Sequence, residues 1–292
     1  MSIKINTAEE IEKMRVACKL ASEVLEMIEP YVKEGVTTEE LNQICHDYAL
    51  EKGAYSAPLD YHGYPKSICT SINHIVCHGI PASQDEVGSN GQIKPAILKN
   101  GDIVNLDITV IIPNDPNADL SVRPEGYYGD TSKMFLVGEV APADKRLCLV
   151  TQEALYVGMR KVKPGATIGD IGTAIEKYIK ENNKKNPRNK FSIVKDFCGH
   201  GISNEFHSEP QVVHYKNTDR RVMKEGMIFT IEPMINAGKF GVTVDAEDDW
   251  TVYTGDGKNS AQYEHTILVT KEGCEVMTLR AEESIPRLMN NN

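Results

Sequence analysis

An internal repeat constrains the fold of this chain more than any other feature of its sequence. The segment CKLASEVLEMIEPYVKEGVT (18–37) aligns without gaps with CLVTQEALYVGMRKVKPGAT (148–167), at an offset of 130 residues. Further along, KNGDIVNLD (99–107) matches KEGMIFTIE (224–232) at an offset of 125 residues. Both later segments end in a carboxylate within an apolar run. Matches in this order indicate two related halves.

A third match points the same way, because the tripeptide HGI occurs at 78–80 and again at 200–202. We therefore predict halves of about 7–137 and 138–278, each with two helices followed by strands. Two such halves do not make a solenoid, so they should share one core in a single domain over 1–292. Coincidental helix and turn chemistry is the alternative explanation.

Capping residues mark two helices. Thr7 and Thr37 are each followed three residues later by glutamate, which is the capping-box pattern of a helix N-terminus. Gly53 suits the left-handed position after the second helix, which we place from Thr37 to Gly53. Two more helices are predicted near 142–161 and 167–182, and β-branched runs predict strands between and after the helix pairs.

Composition excludes several classes of protein. The 292 residues are 40% hydrophobic and contain no apolar run of membrane-spanning length. The N-terminal stretch MSIKINTAEEIEKM lacks an apolar signal segment, so we expect a cytoplasmic location. A formal net charge of −10 disfavours a broad nucleic-acid-binding face. Seven cysteines without C-x-x-C spacing disfavour a disulfide framework or a cysteine zinc site.

Three polar segments rich in Pro, Gly or Asn interrupt the pattern of helices and strands. They cover residues 84–97, 113–125 and 182–190. Such a composition is typical of surface loops, and we interpret all three as insertions. We expect them to lengthen loops and to alter access or contacts at the surface.

Asp107 lies in the middle of IVNLDITVII, a run that otherwise reads as a buried strand. A carboxylate in apolar surroundings is costly unless its charge is compensated. The repeat places Glu232, in TIEPM, at the equivalent position of the second half. A pseudo-twofold arrangement would point both carboxylates at one spot, where a divalent cation would offset their repulsion.

Three further residues extend this set. Asp130 in GDTSKMF and Glu264 in QYEHTI border β-rich segments, and His200 in CGHGI adds an imidazole. Four carboxylates and one histidine suit Mn(II), Fe(II), Co(II) or Zn(II), and bridging carboxylates hold two ions close together. Each residue alone is more often structural, but the repeat pairs Asp107 and Glu232 independently of any motif.

Two other histidines are candidates for proton transfer or hydrogen bonding near neutral pH. His78 lies in VCHGIP, and His207 lies in FHSEP, seven residues after His200. Glycine after His78 and on both sides of His200 lets backbone or substrate approach closely. A structural role in a turn is the alternative for each histidine alone, and the doubled HGI disfavours it.

Together these motifs resemble those of the type I methionine aminopeptidases. The resemblance covers nearly the whole chain and rests on EEIEKMRVA, GYPKSICTSIN, VCHGIP, NGDIVNLDIT, GDTSKMF, CGHGI, FHSEPQV, FTIEPM and SAQYEHTI, in that order. It implies the pita-bread fold, an α/β (α+β) arrangement of two pseudo-symmetric halves. Helices in this fold pack on a curved, largely antiparallel sheet, which agrees with the internal repeat.

The resemblance also implies roles for individual residues. Asp130 and Glu264 would bridge two divalent metal ions, His78 would lie near the scissile amide nitrogen, and His207 near the carbonyl oxygen. The full metal-ligand set would be Asp107, Asp130, His200, Glu232 and Glu264, with Glu232 also taking a proton during catalysis. The methionine pocket would be lined by Tyr61, Tyr64, Cys69, Phe206 and Trp250. A monovalent cation, Na or K, would lie near Asn73 and Ser260.

The function implied is that of a metal-dependent methionyl aminopeptidase, a hydrolase that removes N-terminal methionine when the second residue is small. The cofactors would be two divalent ions, Co, Mn, Fe or Zn. We expect a monomer that meets nascent polypeptides near the ribosome, without specific nucleic-acid or membrane binding. Pro58 departs from the family pattern, where cysteine is common, so we expect one pocket wall to differ slightly.

Two alternatives stay open on the sequence alone. A proline-specific aminopeptidase of the same fold would use the same ligands, although such relatives usually carry an additional N-terminal domain. A non-catalytic binding homologue would typically have lost metal ligands, whereas all five ligands and both histidines are present in this chain.

Overall fold

The helices and strands follow the predicted order of two helices, then strands, in each half. The computed structural model describes residues 3–87 and 96–284. The helices are α1 (Ala8–Ile28), α2 (Thr38–Glu51), α3 (Pro142–Met159) and α4 (Ile168–Lys185), with short 3₁₀ segments at Glu29–Tyr31 and Tyr61–Gly63. The strands between α2 and α3 are β1 (Tyr55–Ser56), β2 (Cys69–Ile72), β3 (Ile75–Cys77), β4 (Ile103–Pro113) and β5 (Gly126–Leu136).

The strands after α4 are shorter and more numerous. They are β6 (Ser192–Ile193), β7 (Gly199–Gly201), β8 (Ser208–Val212), β9 (Ile228–Ile231), β10 (Met234–Asn236), β11 (Val242–Val244), β12 (Val252–Thr254), β13 (Ser260–Gln262), β14 (His265–Val269) and β15 (Cys274–Val276). Every strand pair within the described ranges is antiparallel. The predicted mixture of helices with largely antiparallel sheet is therefore confirmed.

Two larger sheets, one in each half, form the framework of the fold. In the first half, β4 lies between β1 or β2 on one side and β5 on the other, and β4 and β5 pair along their full length. In the second half, five strands pair in the order β15-β14-β9-β7-β8. Two smaller sheets, β13-β10-β6 and β11-β12-β3, complete the set, and the latter joins strands of both halves.

Helix starts were predicted correctly because local side chains determine them. The Thr37 hydroxyl accepts a hydrogen bond from the Glu40 N–H at 3.1 Å, and the Glu40 carboxylate accepts one from the Thr37 N–H at 2.8 Å. Thr7 forms the same capping box at the start of α1. Gly53 follows α2 with a φ of 73°, in the left-handed region that glycine tolerates best. The other two predicted helices correspond to α3 and α4.

The two halves repeat individual backbone contacts as well as elements. The Gly35 N–H donates to the Leu98 carbonyl at 2.8 Å, and the Gly165 N–H donates to the Met223 carbonyl at 3.1 Å. Both glycines have positive φ, at 88° and 87°. The donors Gly35 and Gly165 are 130 residues apart, and the acceptors Leu98 and Met223 are 125 residues apart. These are the two offsets of the sequence alignment. The halves are thus pseudo-symmetric, while their boundaries and the single-domain assignment stay predictions.

The HGI match does not mark equivalent positions, so this part of the predicted repeat is wrong. In the second half, β7 pairs with β9, and Gly201 lies opposite Phe229. In the first half, β2 pairs with β4, and Ile72 lies opposite Val104. Because Phe229 and Val104 differ by the offset of 125, the counterpart of Gly201 is Ile72. His78 instead follows β3, where the chain takes a different path.

The predicted insertions have different outcomes. Most of 113–125 forms the connection from β4 to β5, as expected of a loop. Within 84–97, residues 88–95 lie outside the described residues. The start of 182–190 is not a loop, because α4 continues to Lys185.

A tertiary contact explains the longer helix. The side chain of Asn183 donates to the Phe191 carbonyl at 2.7 Å and accepts from the Phe191 N–H at 2.8 Å. This pair ties the last turn of α4 to the following chain. Polar composition alone therefore predicted the helix end too early.

Helix α1 packs so closely on β5 that only glycine fits between them. A Cβ atom on Gly129 would lie 2.2 Å from the backbone carbonyl of Ala17. Gly129 directly precedes Asp130, so the helix holds the strand at the point where it carries that carboxylate. Among the helices that the structure describes, none is long and apolar enough to cross a membrane. All seven cysteines are free, and five of them are buried.

Candidate metal centre

Neighbouring strands bring the first two carboxylates to one cavity. Asp107 lies in β4, and the register of β4 with β5 pairs Asp130 with Thr109. Residues two apart in a strand share a face, so Asp107 and Thr109 point to the same side. The Thr109 hydroxyl donates to the Asp130 carboxylate at 2.7 Å. Asp107 and Asp130 both line the same cavity.

The second half also brings two carboxylates to the cavity through a pair of neighbouring strands. His265 lies opposite Ile231 in the ladder of β14 with β9. Glu264 and Glu232 are the next residues in this register, and both line the cavity. The Glu264 N–H donates to the Ser132 carbonyl at 3.0 Å, which joins this segment to β5. Strands of both halves therefore meet at the site.

His200 completes the cluster. Its Nε2 lies 3.5 Å from Oδ2 of Asp130 and 3.7 Å from Oε1 of Glu232. One donor atom from each of Asp130, His200 and Glu264 lies within 4.8 Å of the others, a spacing that can hold a metal ion. Asp107 and Glu232 line the same cavity but lie outside this tightest group of three. The structure thus brings all five predicted ligands to one place.

The cluster holds more negative charge than its surroundings compensate. Burial raises the pKa of Asp107 well above its usual range, and the Asp130 and Glu232 carboxylates raise it further. Burial likewise raises the pKa of Glu264, and it raises that of Glu232 to about 7. No lysine or arginine is found among the described residues that line the cavity. Divalent cations fit this site, because they bind oxygen and imidazole donors and offset the charge.

Polar neighbours that the sequence analysis missed hold the carboxylates. The Thr230 hydroxyl donates to Oε1 of Glu232 at 2.8 Å, and the Gln262 amide donates to Oε2 at 3.2 Å. The Glu232 N–H donates to Nε2 of His214 at 3.0 Å. Thr109 and Thr230 lie two residues from a predicted ligand, so the period of the strand could have revealed them. Gln262 and His214 carried no such signal.

A buried charged network lies behind the cavity and was also missed. Arg280 is 1% exposed and donates to the Thr131 hydroxyl at 3.0 Å, directly next to Asp130. The same guanidinium donates to Glu283 at 2.9 Å. Although burial opposes it, His265 and Arg280 hold the pKa of Glu283 below its usual range. The network therefore anchors the strand segment that carries Asp130.

His78 is held against the cavity in an uncommon backbone conformation. Its φ of 56° lies in the left-handed region, which costs a non-glycine residue on the order of 1 kcal/mol. Its ring is edge-on to Phe197 and Trp250, with centroids 5.5 and 5.9 Å away. Burial lowers the pKa of His78 to about 4, so the imidazole is neutral at neutral pH and can donate a hydrogen bond.

His207 lies at the exposed mouth of the cavity. Its ring centroid is 4.2 Å from that of His200 and 4.1 Å from that of Phe206. Its Nδ1 lies 2.8 Å from the Tyr61 hydroxyl. The two candidate histidines thus occupy opposite environments, one buried and one at the mouth.

The predicted pocket residues all line this cavity, which measures about 260 Å³ and so has room for a single amino-acid residue. Tyr64 and Trp250 pack edge to face with centroids 5.2 Å apart, and Cys69 is buried. The lining predicted from the sequence comprises Tyr61, Tyr64, Cys69, Phe206 and Trp250, together with the variant position Pro58. Phe197 and Met234 also line the cavity and were not predicted.

Asn73 and Ser260 are neighbours elsewhere in the fold. The Ser260 N–H donates to the Asn73 carbonyl at 2.8 Å, and Asn73 has a positive φ of 52°. The Asn73 side chain also accepts from the Ile103 N–H at 3.1 Å. This arrangement brings the two residues together, and their role at a monovalent cation stays a prediction.

Comparison with known proteins places these features in a family context. Residues 12–271 match metallopeptidase family M24. The chain is 51% identical to the methionine aminopeptidase of Escherichia coli strain K12 over 294 aligned positions, covering 100% of both chains. The crystal structure of methionine aminopeptidase from Rickettsia prowazekii superposes with a TM-score of 0.83 and 47% identity, over 95% of this chain and 100% of that one.

A more distant structure shares the fold alone. The Xaa-Pro dipeptidase from Bacillus anthracis superposes with a TM-score of 0.67 at 23% identity. The match covers 96% of this chain but 63% of that protein. Proline-specific peptidases therefore share the architecture of this chain without close similarity in sequence.

The first prediction concerns Asp107 as a metal ligand. We expect Asp107→Asn to weaken Mn(II) binding, measured by isothermal titration calorimetry, by more than the roughly 10- to 100-fold typical of residues that only orient a ligand. Asp196→Asn is the matched control, because Asp196 lines the same cavity outside the five-residue cluster. Wild-type affinity in Asp107→Asn would leave this carboxylate with a structural role only.

Proposed function

The chain belongs to metallopeptidase family M24 and, within it, to the methionine aminopeptidases, and from this premise we propose that it removes N-terminal methionine from nascent proteins and peptides when the second residue is small. One observation carries this proposal most directly. A single cavity joins a wall of aromatic and sulfur-containing side chains to a floor of carboxylates and histidine. The wall suits a flexible thioether, and the floor suits the polar backbone of the same residue.

Use of a divalent metal follows from family membership, while the number and identity of the ions are proposals. We propose that two ions would be held by the five-residue cluster. When bound, such ions supply Lewis acidity and lower the pKa of a water molecule. The donor set supports Mn(II), Fe(II), Co(II) or Zn(II). The proposed ligands are Asp107, Asp130, His200, Glu232 and Glu264.

The side chains of the protein would position the substrate and move its protons. Glu232 is held by Thr230 and Gln262, so its carboxylate is oriented to take a proton from the attacking water. His207 would donate a hydrogen bond to the oxygen on which negative charge develops. His78 is neutral and buried, and it would donate a hydrogen bond to the leaving nitrogen. These roles rest on the placement of each group around one cavity.

Crowding at the mouth supports the preference for a small second residue. Tyr61 and Phe206 pack with centroids 4.8 Å apart, and His207 stacks on Phe206. We propose that the chain of the substrate leaves the cavity past these rings. A bulky side chain directly after methionine would collide with them.

We propose that the whole chain, 1–292, acts as one catalytic domain built from the halves 7–137 and 138–278. Its carboxylates support this proposal, because Asp107 and Asp130 come from the first half and Glu232 and Glu264 from the second. Neither half alone would hold the complete ligand set.

A basic cleft supports the proposed meeting with nascent chains near the ribosome. It shares no lining residue with the cavity of the five ligands and combines several cations on a protein of net charge −10. The cationic residues that line it are Arg146, Arg188, Lys190, Lys239 and Lys258, beside Asp144 and Asp256. A local cationic cleft attracts phosphate-rich surfaces even when the overall charge is negative. We propose that the protein acts there as a monomer.

The second prediction tests substrate specificity with the tripeptides Xaa-Ala-Ser and Met-Xaa-Ser. Met-Ala-Ser and its norleucine analogue should be cleaved, because both present an unbranched side chain of similar length. Each missing methylene should cost about 1–3 kcal/mol, so Ala-Ala-Ser should be a poor substrate. Replacing the second residue by leucine should suppress kcat/KM strongly.

N-acetylated Met-Ala-Ser is the control for this experiment. Acetylation removes the basic lone pair of the α-amino group and adds bulk beside the carboxylates, so cleavage should stop. Efficient cleavage of the acetylated peptide, or a preference for proline over alanine at the second position, would overturn the proposed function.

The third prediction separates His78 from the metal ligands. His78→Ala should retain its metal content, measured by atomic emission, while kcat falls by about 100-fold, as is typical of acid–base groups. Loss of metal to the same extent as in Asp107→Asn would place His78 among the ligands. A kcat near that of the wild type would leave His78 with a structural role.

The fourth prediction concerns the basic cleft. The double variant Lys239→Glu, Lys258→Glu should co-sediment with ribosomes less than the wild type, and the difference should shrink as salt concentration rises. Lys19→Glu, Lys177→Glu is the control, since it makes the same charge change at exposed helix positions outside the cleft. Equal co-sedimentation of both double variants would remove the cleft from this proposal.

A further inference from the structure

One side chain of the insertion 113–125 reaches the wall of the cavity. Nη2 of Arg123 donates to the carbonyls of Ala57 and Leu59, at 2.6 and 2.7 Å. The guanidinium also lies over the rings of Tyr55 and Tyr61, 5.6 and 5.3 Å from their centroids. All four contacts are with residues 55–61, which begin in β1 and lead into the pocket.

The charge of Arg123 is directed at these rings. Across residues 3–87 and 96–284, no carboxylate forms an ion pair with it. A guanidinium without a carboxylate partner that lies over an aromatic face is held there by attraction to the ring. The two carbonyl contacts fix its direction as well, so Arg123 restricts both the backbone of this segment and the ring of Tyr61.

Because Tyr61 is restricted, the orientation of His207 is restricted as well. Its hydroxyl lies 2.8 Å from Nδ1 of His207, and its ring packs against Phe206 with centroids 4.8 Å apart. His207 lies at the exposed mouth, where solvent could otherwise compete for both ring nitrogens. A fixed tyrosine is therefore the partner within the protein that orients this imidazole.

The direction of this hydrogen bond is linked to the tautomer of His207. If the Tyr61 hydroxyl donates to Nδ1, the proton of the neutral ring must reside on Nε2. Only that tautomer can donate from Nε2 to an oxygen on which negative charge develops. A Tyr61 hydroxyl that donates to Nδ1 thus leaves His207 able to serve as a donor to the substrate.

We propose that Arg123 is a positioning residue that holds Tyr61 against His207 and thereby keeps His207 as a donor toward the substrate carbonyl. The inference rests on the proposed function for the identity of that substrate. It gives the loop 113–125 a role in the site, because Arg123 of this loop contacts Ala57, Leu59 and Tyr61. Each contact in this series, from Arg123 to Tyr61 and from Tyr61 to His207, joins two groups of the protein.

The test compares Arg123→Ala, Arg123→Met and Arg123→Lys in cleavage of Met-Ala-Ser. Removal of a direct oxyanion donor costs about 100- to 1000-fold in kcat, so loss of a group that only orients one should cost about tenfold. KM should stay within about twofold. Lysine keeps the cation over the rings and should recover most of kcat, whereas methionine keeps only the length and should not.

Val122→Ala is the matched control, because Val122 is the neighbouring residue of the same loop and is 60% exposed. It should leave kcat unchanged. Non-additivity provides the second control. In a Tyr61→Phe background the hydroxyl is already missing, so Arg123→Ala should change kcat by less than about twofold.

A readout independent of catalysis separates this proposal from the proposed function. Long-range ¹H–¹⁵N spectra of Zn(II)-loaded protein report the tautomer of each histidine, and His207→Ala identifies the relevant signal. The wild type should show His207 with its proton on Nε2, and Arg123→Ala should show a mixture of tautomers. Absence of methionine cleavage by the wild type would refute the proposed function while leaving this readout decisive. An unchanged tautomer in Arg123→Ala, or effects that simply add to those of Tyr61→Phe, would overturn the positioning role.

Discussion

Buried negative charge is the constraint on which the rest of this structure depends. The four clustered carboxylates Asp107, Asp130, Glu232 and Glu264 line one cavity, and burial raises the pKa of three of them, Asp107, Glu232 and Glu264. Such a cluster needs a compensating cation and neighbours that hold each oxygen in place. The paired strands, the threonine hydroxyls and the network around Arg280 all hold the carboxylates in place. A bound divalent cation would therefore belong to the folded state as much as the side chains do.

Local patterns made much of the fold and the five proposed ligands predictable. Capping at Thr7 and Thr37, and the charged residue within the apolar run of β4, are visible within single segments. Groups that depend on distant contacts were not predictable, because no short period reports them. Arg280 meets Thr131 across 149 residues, and His214 meets Glu232 across 18. The HGI match was wrong for a related reason. Three identical residues do not indicate which residues of two strands lie opposite each other.

Symmetry and asymmetry contribute different parts of the site. Each half brings two carboxylates on or next to paired strands. The two halves therefore contribute equally to the negative charge of the proposed metal site. A peptide bond, however, has two different ends and needs different groups at each. Here the halves diverge: the first presents His78 in a left-handed conformation within a buried setting, and the second presents His207 at the mouth. In the proposed function, divergence at these positions would let the two histidines act on different ends of the peptide bond.

The division of the proposed ligands between halves would make metal supply a factor in protein turnover. Any ion that binds the assembled site but not the unfolded chain stabilises the native state by mass action, by about 2.7 kcal/mol when its free concentration is 100 times the dissociation constant. Scarcity of the ion would therefore shift chains toward forms that cellular proteases degrade, besides slowing the reaction. The abundance of this protein would then follow the availability of metal, even at a constant rate of synthesis.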